Sequence, residues 1–224
     1  MSEREWLDCV DPNLMLKALS GRVSDRKLRL FAVACCRHIW HLLPDPRSRT
    51  AIEVAERYAD GLAGERERAA AKAAAAGARG EGALAAYWTV CPNLPGAIGS
   101  MCDAAVEAGA RNAVLSAQRA TADQLSAWDA AVTIGTREQA SFLREVLGNP
   151  FRATTTDGWL DWRCGLIPAM AQQMYDTGDF RELPILGDAL EDAGCTDSHL
   201  LAHCRSVGEH VRGCWALDLL IGKE

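Results

Sequence analysis

The chain has no uninterrupted apolar stretch near the ~20 residues that a membrane-spanning helix needs, so no membrane segment is expected. Its opening, Met1-Ser2-Glu3-Arg4-Glu5-Trp6, has no apolar run that could act as a signal peptide. The expectation is a cytoplasmic chain whose thiols stay reduced. A surplus of cations is also missing: 24 Lys+Arg stand against 30 Asp+Glu, a formal charge of −6. Nucleic acid is bound by displacing counterions with clustered cations, so that partner is not expected. No Cys-x-x-Cys pair occurs, and the strongest sequence signature of a zinc site is therefore absent. No glycine-rich loop follows a strand pattern, which removes the usual phosphate cradle. Alternating strand patterns are scarce throughout.

Helical periodicity is abundant. Of 224 residues, 49% are apolar, enough for a core in a chain of one or two domains. Asp11-Pro12 combines an N-cap with a first-turn proline. Ser24 caps a longer helix with a stripe of Leu28, Phe31, Ala32, Cys35 and Ile39 at three- and four-residue steps. Pro44 stops that stripe. Asp45-Pro46 restarts the pattern, with Ile52, Val54, Ala55, Tyr58 and Leu62 as the next buried face. Arg22, Arg26, Lys27, Arg29 and Arg37 read as a solvated face around this core.

The expected fold is all-α, an N-terminal three-helix unit packed against a C-terminal bundle of short helices. Residues 1–64 form the N-terminal unit. Residues 65–86 read as an alanine- and glycine-rich linker or exposed helix, because they carry almost no bulky side chain. Residues 87–224 form the bundle. Within it, helices are expected over 98–119 and 121–132, and over a stretch begun by the capping box Thr136-Arg137-Glu138-Gln139 and ended by Gly148. Residues 153–164 read as a Trp-bearing loop. Four short helices follow over 167–175, 183–193, 197–205 and 209–221.

The odd count of nine cysteines leaves at least one unpaired, and most are expected to be small core residues. Three of the nine, with three of the five histidines, gather near the end as Cys195, His199, His203, Cys204, His210 and Cys214. Spacings of four put Cys195 with His199, His199 with His203, and His210 with Cys214 on shared helical faces. Two such pairs joined by a turn at Val207-Gly208 could hold a tetrahedral ion. The candidate metal ligands are His203, His210 and Cys214, with Cys195 and Cys204. The bland alternative is that Cys204 and Cys214 fill the core while His203 and His210 bond backbone carbonyls. A third reading lines Cys214, His210 and Asp218 along one helix as a thiol nucleophile with its base, an unusual arrangement for a triad. A further group, Cys35, Cys36, His38 and His41, is expected to be packing.

Seven tryptophans are spread along the chain. Trp159 and Trp162, flanked by Asp157, Asp161 and Arg163, fall in the irregular segment. Trp159, Trp162 and Arg163 are the candidate partner-binding residues, weighed against simple core packing.

Several segments occur together: Ser24-Asp25-Arg26-Lys27-Leu28-Arg29-Leu30-Phe31, Ala34-Cys35-Cys36-Arg37, Gly148-Asn149-Pro150-Phe151-Arg152, Leu201-Ala202-His203-Cys204-Arg205 and His210-Val211-Arg212-Gly213-Cys214-Trp215-Ala216-Leu217-Asp218. In these the chain resembles a large paralogous family of uncharacterised bacterial helical proteins that share two ends around a variable middle. His38 and His199 depart from that pattern. The resemblance implies a reusable helical module rather than an enzyme, and supplies no cofactor or catalytic residue. The leading expectation is thus a non-catalytic protein-interaction or scaffold module that needs no cofactor, with another protein as partner. The alternative is a zinc-binding domain with His/Cys ligands near the C-terminus.

Overall fold

A computed structural model of the chain describes residues 1–117, 121–152, 154 and 158–223, with side chains at 117 and 121–123 left aside. The fold is all-α, about 70% helical, with twelve α-helices and no strand among the described residues. Two compact units divide it, Glu3–Leu143 and Arg144–Glu224.

Helix starts follow local chemistry. In the first unit α1 is Glu3–Asp8 and α2 is Pro12–Ala18. The Asp11 carboxylate accepts from the Asn13 and Leu14 amides at 2.8 and 3.2 Å, satisfying two of the four donors that a helix start leaves unpaired. Ser24 does the same for α3 (Asp25–His38), accepting from the Lys27 amide at 3.3 Å. Asp45 begins α4 (Pro46–Ala59) through the Arg47 amide at 3.0 Å. Between α3 and α4 a 3-10 turn spans Trp40–Leu42. Leu62, expected on the buried face of α4, lies beyond the helix end and is 67% exposed.

Residues 65–86 contain α5 (Glu65–Ala75) and the start of α6 (Ala83–Thr89). Here alanine permits close approach where larger residues would fill space. Ala71 and Ala75 are buried, and α5 packs on α4 and α6. Next come α7 (Leu94–Ala117) and α8 (Thr121–Leu147). The capping box expected at Thr136 does not start a helix, because α8 runs straight through it. The Thr136 hydroxyl instead donates back to the Val132 carbonyl at 2.7 Å, satisfying itself within the helix.

Two arginines are central to the first unit. Arg29, expected on the solvated face, is 2% exposed. It donates to the Thr89 carbonyl at 2.7 Å and the Cys91 carbonyl at 3.2 Å, with its guanidinium 5.0 Å from the centroid of the Tyr58 ring. Arg68, also buried, donates to the Val90 carbonyl and, at 2.8 Å, to Glu65. The carbonyl of Thr89, last in α6, and those of Val90 and Cys91 just beyond it are therefore met by two fixed cations at the negative end of the helix dipole. Burial lowers the Arg29 pKa from its ordinary value, the negative potential of Tyr58 opposing, yet arginine stays charged. Arg26 makes a part-buried pair with Asp60, the residue after α4, at 3.1 Å, and Arg37 on α3 pairs with Glu56 on α4 at 2.5 Å.

The second unit holds a 3-10 turn at Trp162–Cys164, α9 (Leu166–Thr177), α10 (Leu183–Asp192), α11 (Ser198–Cys204) and α12 (Trp215–Ile221). Its core is built from Ile167, Met174, Leu183, Leu186, Leu200 and Leu217, with Trp159 among them. The helix expected over 209–221 begins only at Trp215. Gly213, at φ 90°, turns the chain ahead of it, and 205–214 is non-helical. Of the expected loop over 153–164, residue 153 and residues 155–157, Asp157 included, lie outside the described residues. No helix among the described residues is long and apolar enough to cross a membrane.

Replacing Arg29 by Met keeps most of the apolar stem but leaves the Thr89 and Cys91 carbonyls buried without a donor. Urea denaturation is expected to show a loss of about 3 kcal/mol, with Arg29→Lys recovering only part, since an ammonium cannot reproduce the fork.

Candidate metal centre

The second unit brings four side chains from four places in its sequence to one point. Glu145 sits in the last turn of α8, where a carboxylate opposes the helix dipole and gains nothing locally. Gly148 ends that helix in the left-handed conformation, φ 65°, its amide donating to the Arg144 carbonyl at 2.8 Å. His203 lies in the last turn of α11, whose start Asp197 sets by accepting from the His199 and Leu200 amides at 2.9 and 3.1 Å. His210 comes from the non-helical stretch 205–214. That stretch is anchored by Arg212, which donates to the Tyr175 and Asp176 carbonyls at 3.0 and 3.1 Å at the end of α9. Cys214 is the N-cap of α12, its carbonyl accepting from the Asp218 amide at 3.0 Å.

One ligand atom from each of Glu145, His203, His210 and Cys214 can be chosen so that all four lie within 4.8 Å of one another. Nε2 of His203 is 3.0 Å from the Cys214 sulfur and 3.8 Å from Glu145 Oε1. Nδ1 of His210 is 2.9 Å from the same Oε1. A tetrahedral zinc ion, with bonds of ~2.0 Å to nitrogen and oxygen and ~2.3 Å to sulfur, sets neighbouring ligand atoms about 3.3–3.6 Å apart. The observed separations straddle that edge length, so the donor set fits an ion of this size after shifts of a few tenths of an ångström to about one. The site is enclosed. Glu145, His203 and His210 side chains are 11, 13 and 7% exposed, and Cys214 is fully buried.

The surroundings set the protonation states. Burial pushes the Cys214 thiol well above its ordinary value, reinforced by the Glu145 carboxylate. An activated thiolate needs the opposite, so the Cys214–His210–Asp218 nucleophile reading has no electrostatic support here. Burial lowers His203 to about 4, against an opposing pull from Glu145. For His210 burial also opposes the charged form, but its hydrogen bond to Glu145 and that carboxylate's charge outweigh it, and the pKa is raised. The indole of Trp215 donates to Nδ1 of His203 at 3.2 Å. Neutral His203 therefore carries its proton on Nε2, the atom facing the centre. His199 stacks on the same indole, ring centroids 4.9 Å apart at 19°.

Three of the five expected ligands thus meet. The other two do not. Cys204 is fully buried with its Cβ 3.1 Å from where a side chain on Gly187 would begin, and burial raises its pKa to about 12. Cys195 closes the turn after α10, its amide donating to the Leu190 carbonyl at 2.9 Å. Of the tryptophans marked for a partner, Trp159 belongs to the core at 8% exposure and Trp162 packs against that core. The exposed Arg163 guanidinium covers the Trp162 ring at 4.4 Å. In the first unit Cys35 and Cys36 are buried, and His38 pairs with Glu138 at 2.9 Å. Glu145 was missed by the sequence reading. Its one signal was an acid in the last turn of a helix ending at Gly148. No protein family, curated protein or solved structure matches the chain.

Gly148 is required twice: its φ is left-handed, and a Cβ there would meet Trp215 Cγ at 2.9 Å. Gly148→Ala is expected to cost ~1–2 kcal/mol for the backbone alone and more for the displaced indole, measured by thermal melting. In metal-free protein the His203 shift has a definite sign. Its folded pKa lies below the unfolded value, so its contribution is fully present above pH 6.5 and lost as the pH falls to about 4. The loss is about 3 kcal/mol, opposed in part by His210, whose raised pKa acts in the other direction. Urea midpoints between pH 7 and 4 are expected to fall, and to fall less in His203→Gln.

Proposed function

We propose that the second unit is a metal-binding, non-catalytic helical domain that holds one zinc ion through Glu145, His203, His210 and Cys214. The observation that carries this reading is the convergence of one thiol, two imidazoles and one carboxylate within 4.8 Å inside an enclosed site. A mixed N/S set of this kind suits zinc and its transition-metal neighbours and disfavours calcium or magnesium, which take oxygen shells. Four protein ligands fill a tetrahedron and leave no position for water or substrate. That is the pattern of a structural site rather than a catalytic one.

The role follows from the positions of the ligands. Glu145 ends α8, His203 is on α11, His210 lies in the non-helical stretch and Cys214 starts α12. An ion shared among them would staple a stretch that has no backbone ladder of its own to helices on either side of it in sequence. Binding to the folded state alone stabilises by RT ln(1 + [L]/Kd), about 4 kcal/mol at a thousandfold excess over Kd.

Three proton movements accompany loading, one being that the proton His210 Nδ1 donates to Glu145 must leave that nitrogen, to Nε2 or to solvent. Cys214 must lose its proton, and on His203 the proton must pass from Nε2 to Nδ1, ending its acceptance from Trp215. The ion therefore competes with an indole hydrogen bond, and Trp215 reports the exchange.

Untagged protein is expected to carry one zinc per chain by elemental analysis, and Cys214→Ser with His210→Ala to carry none. Affinity should fall about tenfold for each pH unit from 8 to 7, one proton being released by the raised Cys214 thiol. It should fall more steeply where His210 also binds a proton. Adding zinc to metal-free protein should change tryptophan fluorescence, and Trp215→Phe should remove that change. Metal-free protein whose melting does not respond to zinc would overturn the reading.

A further inference from the structure

The first unit contains a pocket of about 240 Å³ between α3, the Trp40–Leu42 turn, α7 and α8. Its apolar wall is formed by Ile39, Leu42, Val106, Ile134 and Phe142. Gly109 opens it, since a Cβ built there would meet no atom within 4 Å. Its polar side is made by Glu138, whose Oε2 lies 2.9 Å from Nε2 of His38, with His41, Asn112 and Gln139. Phe142 sets the His38 ring edge-on at 5.5 Å. Glu138 and Phe142 are four residues apart on α8 and so share a face.

The polar side has a definite bias. No lysine or arginine lines the pocket, and its one carboxylate is Glu138. Gln139 is 4% exposed, and its amide nitrogen is committed to the Cys102 carbonyl at 2.9 Å. A carboxylate in a lining without lysine or arginine favours a donor that carries positive charge. An anionic molecule would have to approach the Glu138 carboxylate with no lysine or arginine in the lining to draw it in. A cleft below the ~300–1,000 Å³ typical of drug-sized ligands leaves room for a single ring or a branched chain.

We propose that this pocket binds a small primary amine, its ammonium on Glu138 and its apolar body against Ile39, Val106, Ile134 and Phe142. The carboxylate supplies the charge-assisted hydrogen bond that orients the head, and His38 holds that carboxylate in place. The site lies in the first unit, and it stands or falls independently of the zinc reading.

Calorimetric titration of the full chain tests it with 2-phenylethylamine and 3-methylbutylamine as probes, against 2-phenylethanol and phenylacetate. At least one amine is expected to bind with one site per chain, the alcohol at least tenfold more weakly, and the acid not measurably. Glu138→Gln should weaken the amine at least tenfold. Gly109→Leu, which fills the space from a position without a clash, should abolish binding while the circular-dichroism melt stays as in the wild type. Binding of neither amine, equal binding of phenylacetate, or wild-type affinity in both variants would overturn the proposal.

Discussion

The constraint on which both units depend is that a polar group taken out of water must find a partner. In the first unit the groups at risk are the carbonyls of Thr89, last in α6, and of Val90 and Cys91 just beyond it, and Arg29 and Arg68 meet them from α3 and α5. A guanidinium suits this role because its fork reaches two carbonyls at once and its charge lies at the negative end of the helix. The alanine-rich composition of α5 then has a physical reading. Small side chains let helices approach closely, and two buried arginines supply the specificity that bulky residues would otherwise give.

In the second unit the same constraint produces a centre instead of a cap. Glu145, His203, His210 and Cys214 satisfy one another in an enclosed space, and the electrostatic consequences diverge by residue. Burial dominates at Cys214 and His203, favouring their neutral forms, while at His210 the partner carboxylate prevails. A network of this kind can rest as mutual hydrogen bonds or accept a cation that replaces the protons it holds. Trp215 is tied to both states. Its indole selects the His203 tautomer, and its ring occupies the space that Gly148 leaves open.

Much of the helical layout was legible from local signals. Asp11, Ser24, Asp45 and Asp197 cap their helices as their neighbours in sequence suggest, because capping is a contact among residues two or three apart. The failures share one cause. Thr136 looked like a start but bonds its own helix, and His210 looked helical but lies in the non-helical stretch 205–214, before the turn at Gly213. In each, a competing backbone arrangement that the local pattern also permits was selected by packing. The candidate site was half visible. The crowding of histidine and cysteine near the end pointed to His203, His210 and Cys214, while Cys195, drawn in by even spacing, and Cys204, beside Gly187, fall outside that group.

The sequence by itself determined the all-α class, the main helix starts and the neighbourhood of the candidate centre, because periodicity and capping act over a few residues. Only the tertiary structure decided that Arg29 is buried, that Glu145 joins a histidine 65 residues away, and that Cys204 and Cys214 have different surroundings. Those outcomes depend on which helix ends meet. That is set by the burial of whole faces against one another, and no single segment encodes it.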